Sequence, residues 1–226
     1  MKRRGLESNI RKYFLVLFTG RRNFIPILSI YFLSLPNTTA NQIGMYSAAG
    51  YIIGLIFQIP AGYRGDKRGN KTTIVISKIC LVLSSLSFVL GYNFRFFLVG
   101  SMLVSLGGDA FSSGNTSAFL HDTLNLQGKK DSFKKISSSI RGRVSFLSIF
   151  FIIALPFFTT ISMNFPFKIG LGIDILGLII ALSLFPARSP HHEKHAISIK
   201  SIISTIKKTR NTGFYSIALF SAIIGA

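Results

Sequence analysis

What most restricts the folding of this chain is a recurrence of apolar runs of about 20 residues, each bounded by clusters of Lys and Arg. A run of that length, wound as a helix, crosses a hydrocarbon core of ~30 Å. Charged residues make up 15% of the chain, well below the roughly 25% usual for soluble domains, and they are bunched rather than dispersed. The expected fold is therefore all-α and integral to the membrane. Full spans are expected at 13–34, 43–61, 73–91, 94–120, 144–163 and 165–185, and a seventh begins in 213–226.

The basic residues fix a predicted orientation. The segments 1–12, 62–72, 121–143 and 186–212 alternate with the other connections and together hold 21 of the 26 Lys and Arg residues. The opposite side holds only Arg95 and Lys168. Under the positive-inside rule this places the N-terminus and the long loops in the cytoplasm, with the chain multi-pass in the cell's inner (plasma) membrane. The net charge of +19 thus follows loop position and forms no stripe that could track phosphates, so nucleic acid is not the expected partner. The start of the chain has no small-residue cleavage site, and its first span is expected to be retained. Asn93 and Asn164 mark short outer connections, which make the spans they join antiparallel neighbours. The long basic stretch 186–212 reads as a linker; within it 197–208 is either an amphipathic surface helix or solvated chain.

One connection carries a motif. After the second run comes Gly62-Tyr63-Arg64-Gly65-Asp66-Lys67-Arg68-Gly69-Asn70-Lys71. Gly62 would end the helix and permit close packing, Gly69 suits a turn with positive φ, and Asp66 can cap a helix N-terminus. This loop resembles the signature of the major facilitator superfamily, with Gly62, Asp66, Lys67, Gly69 and Lys71 fitting and Asn70 standing where a basic residue is common. Ile59-Pro60-Ala61-Gly62, the stretch from Ser113-Gly114 to His121-Asp122, and Phe133-Lys134-Lys135-Ile136 resemble a group of bacterial members. Gln58, Thr116 and Ser117 depart from it, standing where that group often has acids. The resemblance implies a six-helix N-terminal bundle (13–185), a linker to a second half (186–212) and the start of a seventh helix (213–226). It also implies that the motif loop latches the two halves on the cytoplasmic side, and that the partners are the lipid bilayer, a small-molecule substrate, and a missing C-terminal half or a second copy.

Ionisable residues at membrane depth are costly and mark pathways or pairs. Arg21, Arg22, Asp109 and Asp174 fall within spans and are the candidate substrate or coupling residues. The arginines suit a carboxylate or phosphate, or a structural pair with Asp109 or Asp174; each aspartate could carry a proton or serve as a counter-ion. Lys78, near the start of its span, is expected to snorkel to the cytoplasmic surface. Pro26, Pro60 and Pro156 should bend their spans, and Gly100, Gly107, Gly108 and Gly114 should thin one side of the fourth for packing. No cofactor is expected. The lone Cys80 offers no disulfide or metal spacing. His121 is the single histidine near a span, and His191, His192 and His195 lie in the linker, so no base is positioned for serine catalysis and the chain does not read as an enzyme. Two functions remain open: a secondary transporter for a small organic solute, and a membrane scaffold or partner subunit with no transport of its own. On the first, an antibody against 186–212 should label a band near twice 24.9 kDa in native membranes; a band at 24.9 kDa would favour the second.

Overall fold

The computed structural model describes residues 2–21 and 25–187, which fall in one compact unit, Met1–Pro190. The linker from 188 onward, its histidines, the seventh span and Arg22 lie outside the described residues. All regular structure among the described residues is helical: α1 (Lys2–Gly20), α2 (Ile25–Leu33), α3 (Ala40–Arg68), α4 (Asn70–Leu90), α5 (Phe94–Ser105), α6 (Asn115–Leu126), α7 (Phe133–Phe157) and α8 (Phe165–Leu182). A π-helical turn, Leu106–Phe111, joins α5 towards α6, and single 3-10 turns precede and follow α7.

Five helical stretches are long and apolar enough to cross a membrane: Ala40–Arg68, Asn70–Leu90, Phe94–Leu126, Lys130–Thr160 and Phe165–Leu182. The chain is thus a multi-pass membrane protein. The first predicted span, 13–34, is corrected. Its helix stops at Gly20, Arg21 is not helical, and a new helix starts at Ile25 with Pro26 in its first turn, where a missing N–H costs nothing. The second span also runs further than expected, straight through Gly62 to Arg68, and α7 begins eleven residues before 144.

Helices in lipid gain little from hydrophobic burial against one another and associate through close packing and interhelical hydrogen bonds. On α3, Gly50 and Gly54 lie one turn apart and meet Ser101 and Ser105, spaced identically on α5; a Cβ at Gly50 would collide with Ser101 Oγ. On the other side of α5, Ser84 of α4 donates to the Gly100 carbonyl at 2.7 Å, and Ser77 donates to the Gly107 carbonyl at 2.6 Å. Gly100 also gives the Phe88 ring its place, and a Cβ at Gly107 would strike the Ser77 carbonyl. Two of the four glycines predicted for packing therefore serve it; Gly108 and Gly114 have open space beside them.

The side chains collect in two cores, one towards each end of the bundle. Tyr13, Val16, Ile74, Phe119, Leu124 and Val144 belong to the core at the end bearing the basic connections. Phe32, Tyr46, Phe88, Phe97, Leu155 and Phe167 fill the opposite end, where Phe97 packs edge-on to Phe32 with ring centres 4.8 Å apart. Side-chain ties close each end. Asn9 exchanges two 2.9 Å bonds with the Phe185 backbone, and Lys12 Nζ donates to the Ser183 carbonyl at the C-terminus of α8, where a cation complements the helix dipole. At the other end Asn164 donates to the Val89 carbonyl at 2.9 Å, and Asn93 caps α5 by accepting from the Arg95 N–H at 3.1 Å. Phe146, Phe150, Ile153 and Phe157 of α7 stay exposed, forming a face for lipid.

The α3–α5 seam gives a direct test. Gly50→Leu should destabilise the purified protein by about 1–3 kcal/mol through overpacking, lowering its melting temperature in detergent. Gly62→Leu, where a Cβ meets nothing within 4 Å, should leave the melting temperature unchanged.

Candidate functional site

Between the two cores the bundle is hollow. A chamber of about 320 Å³ lies towards the aromatic end, with Leu28, Tyr46, Leu81, Phe88 and Phe167 among its walls, and is predominantly apolar. A second chamber of about 710 Å³ lies towards the basic end and is mixed in character, with Arg21, Gln58, Lys78, Thr116 and Arg141 beside Val16, Leu55 and Leu81 in its lining. Gly20, Tyr51, Leu81, Gly108 and Asp109 line both, so the chambers adjoin.

Two interrupted spans create this hollow. Where α1 ends at Gly20, the helix dipole leaves partial negative charge. Lys78 answers this end. Its Nζ donates to the Val16 carbonyl at 2.8 Å and to Thr19 Oγ1 at 2.9 Å, and Thr19 donates in turn to Val16 O at 3.1 Å. Lys78 is 3% exposed, so the expectation that it reaches the membrane surface is corrected: the broken helix end holds the ammonium inside. Glycines on two helices leave room for it, since a Cβ at Gly20 or at Gly177 would sit 3.4 Å from Nζ.

The fourth span is interrupted at the same level. The π-helical turn carries Asp109, and Gly114, at φ 76°, turns the chain into α6. A positive φ of this size is costly for residues with a Cβ, which accounts for glycine at this point. Ser112, Ser113, Gly114 and Thr116 then line the larger chamber beside the start of α6.

Of the residues singled out from sequence, Arg21 and Asp109 share the larger chamber. They do not pair with one another: among the described residues the Arg21 side chain and the Asp109 carboxylate form no hydrogen bond or ion pair. Asp174 is placed elsewhere, fully buried in α8, where Ser85 of α4 donates to its Oδ2 at 2.5 Å. Sequence reasoning missed Arg141, which it assigned to a loop. The early start of α7 puts Arg141 in register with buried Ser137, Ile140 and Val144, a helical spacing visible in the sequence, and its Nη2 donates to Ser117 Oγ at 2.6 Å. It also passed over Tyr51 and the Lys78 site, the latter because the first span was read as continuous through Gly20, Arg21 and Arg22.

The motif residues cluster at the basic end. Gly62 sits inside α3 with open space around it, so its expected role in ending the helix is corrected; the close approach belongs to Gly65, where a Cβ would collide with Asn115 Oδ1. Gly69 makes the turn at φ 90°, its N–H donating to the Gly65 carbonyl at 2.9 Å. Asp66 is half-buried on the last turn of α3, Lys67 Nζ lies 5.8 Å from the Tyr63 ring centre, and Lys71 is half-buried at the start of α4. Asn70, the departure from the motif, is buried and donates to Asp122 Oδ2 at 3.1 Å.

No family model matches the chain. Over 67 residues it is 36% identical to a protein of Buchnera aphidicola subsp. Baizongia pistaciae (strain Bp) described as an uncharacterized transporter. The match takes in 30% of this chain and 17% of that protein's length.

The Lys78 contacts are testable. Lys78→Met removes bonds from a charged donor and leaves the Val16 carbonyl and Thr19 hydroxyl without it, which should cost about 2 kcal/mol. A lowered melting temperature in detergent is expected; an unchanged one would show that the α1 terminus is satisfied without the ammonium.

Proposed function

We propose that this chain supplies one six-helix half of a secondary transporter of the major facilitator type, moving a small organic solute across the cell's inner membrane by alternating access. One observation carries the reading. Two interrupted helical stretches border a cavity lined by an arginine and an aspartate that have no side-chain partners among the described residues. Interrupted helices that deliver backbone ends and ionisable groups to a midplane cavity are the recurring construction of transporter binding sites. Charged groups are too costly at that depth to stand idle. The motif around Gly69, the distribution of Lys and Arg and the transporter description of the Buchnera protein support the same reading. In it the N-terminus is cytoplasmic, the Gly69 turn is part of a cytoplasmic latch, and the second half comes from further chain or another copy.

Alternating access can be tested before the solute is known. Tyr51 is 64% exposed and lines both chambers. With Cys80 replaced by Ala, a Tyr51→Cys variant of the full-length protein should react with a membrane-impermeant maleimide in both right-side-out and inside-out vesicles. Labelling from one side only would refute the mechanism. Adding Asp66→Asn should weaken the latch and shift labelling several-fold towards the cytoplasmic side, with membrane insertion unchanged.

A further inference from the structure

The geometry points to an amphiphilic organic anion as the occupant of the paired chambers: an acidic head of carboxylate, sulfonate or phosphate on an apolar body. This rests on the reading above only in that a solute enters the cavity. The larger chamber is lined by Arg21, Lys78 and Arg141 against Asp109 alone, an excess of two positive charges. Lys78 is committed to the end of α1 and Arg141 to Ser117, whereas the Arg21 guanidinium makes no bond among the described residues. Arg21 is exposed on the chamber wall, and its planar fork of N–H donors suits a carboxylate, sulfonate or phosphate. Arg21 is the anchor in this arrangement, and Arg141 adds field from the opposite wall.

The body is specified by the adjoining chamber. Its walls include Leu28, Tyr46, Phe88 and Phe167, and its one charged lining residue is Asp109, at the boundary with the larger chamber. Both chambers have the size of small-molecule pockets, about 300–1,000 Å³. A ligand spanning them places its charge beside Arg21 and a ring-sized apolar group among the aromatics. A metal cation or an organic cation would meet the net positive charge of the larger chamber, and a small inorganic anion would leave the aromatic chamber unused.

The test is equilibrium dialysis of naphthalene-2-sulfonate against full-length protein in phosphatidylcholine nanodiscs, with empty nanodiscs subtracted. Saturable binding is expected, with inorganic sulfate at least tenfold weaker and naphthalene-2-methylammonium not bound. Arg21→Gln should weaken the sulfonate at least tenfold without changing the melting temperature, and Arg21→Lys should recover part of the loss. Equal binding of the ammonium probe, sulfate binding as tight as the sulfonate, or an unaffected Arg21→Gln variant would each overturn the inference. Displacement of the sulfonate by lower concentrations of dioctanoyl phosphatidylglycerol would assign the chambers to lipid and overturn the solute reading. Counterflow in proteoliposomes separates this inference from the transport reading. Sulfonate binding without counterflow removes transport and leaves the anion chamber standing. Counterflow of the ammonium probe without sulfonate binding keeps transport and removes the anion.

Discussion

The rest of this architecture is arranged around a buried ammonium. Lys78, delivered from α4, is held near the C-terminus of α1 by the Val16 carbonyl and the Thr19 hydroxyl, where a cation complements the helix dipole. Beyond that end Arg21 is exposed and lines the larger chamber, and α2 starts at Ile25 with Ile27, Leu28, Tyr31 and Phe32 in the aromatic core. The cavity is therefore a product of two faults in regular structure, the gap after Gly20 and the π-helical turn before Gly114, rather than of loosely packed helices.

Packing divides the labour. The seams α3–α5 and α4–α5 are built from Gly and Ser, which let backbones approach and supply interhelical hydrogen bonds that do not rely on hydrophobic burial. The large side chains are withdrawn to the two ends, where they form separate cores. This leaves the midplane to small and polar groups, so the same residues that bring helices together also keep the centre open to a solute.

Much of this was legible in the sequence. Apolar length and the placement of Lys and Arg gave the helical membrane class, and the ionisable residues within spans led to Arg21 and Asp109, which share a chamber. The Gly69 turn was read correctly because positive φ has few residue solutions. Other features were hidden for physical reasons. An apolar run starting at Phe24 is too short to cross a membrane, so the first span was read as continuous, the break after Gly20 was missed and Lys78 was assigned to the surface. Gly62 looked like a helix end because glycine usually weakens helices, yet the contact that excludes a side chain falls three residues later at Gly65. Arg141 was lost to a loop because charge suggested solvent, while the helical period of its neighbours pointed inward.

The close approach at Gly65 has a steric meaning. The backbone of α3 there meets the side-chain amide of Asn115, the first residue of α6, and a Cβ on α3 would displace it. Thr116, the next residue, is part of the chamber wall. Four residues beyond Gly65 the chain turns at Gly69. The turn at the rim of the protein and the wall of its cavity are thus joined by a glycine–asparagine contact, which leaves no room for a larger residue at position 65.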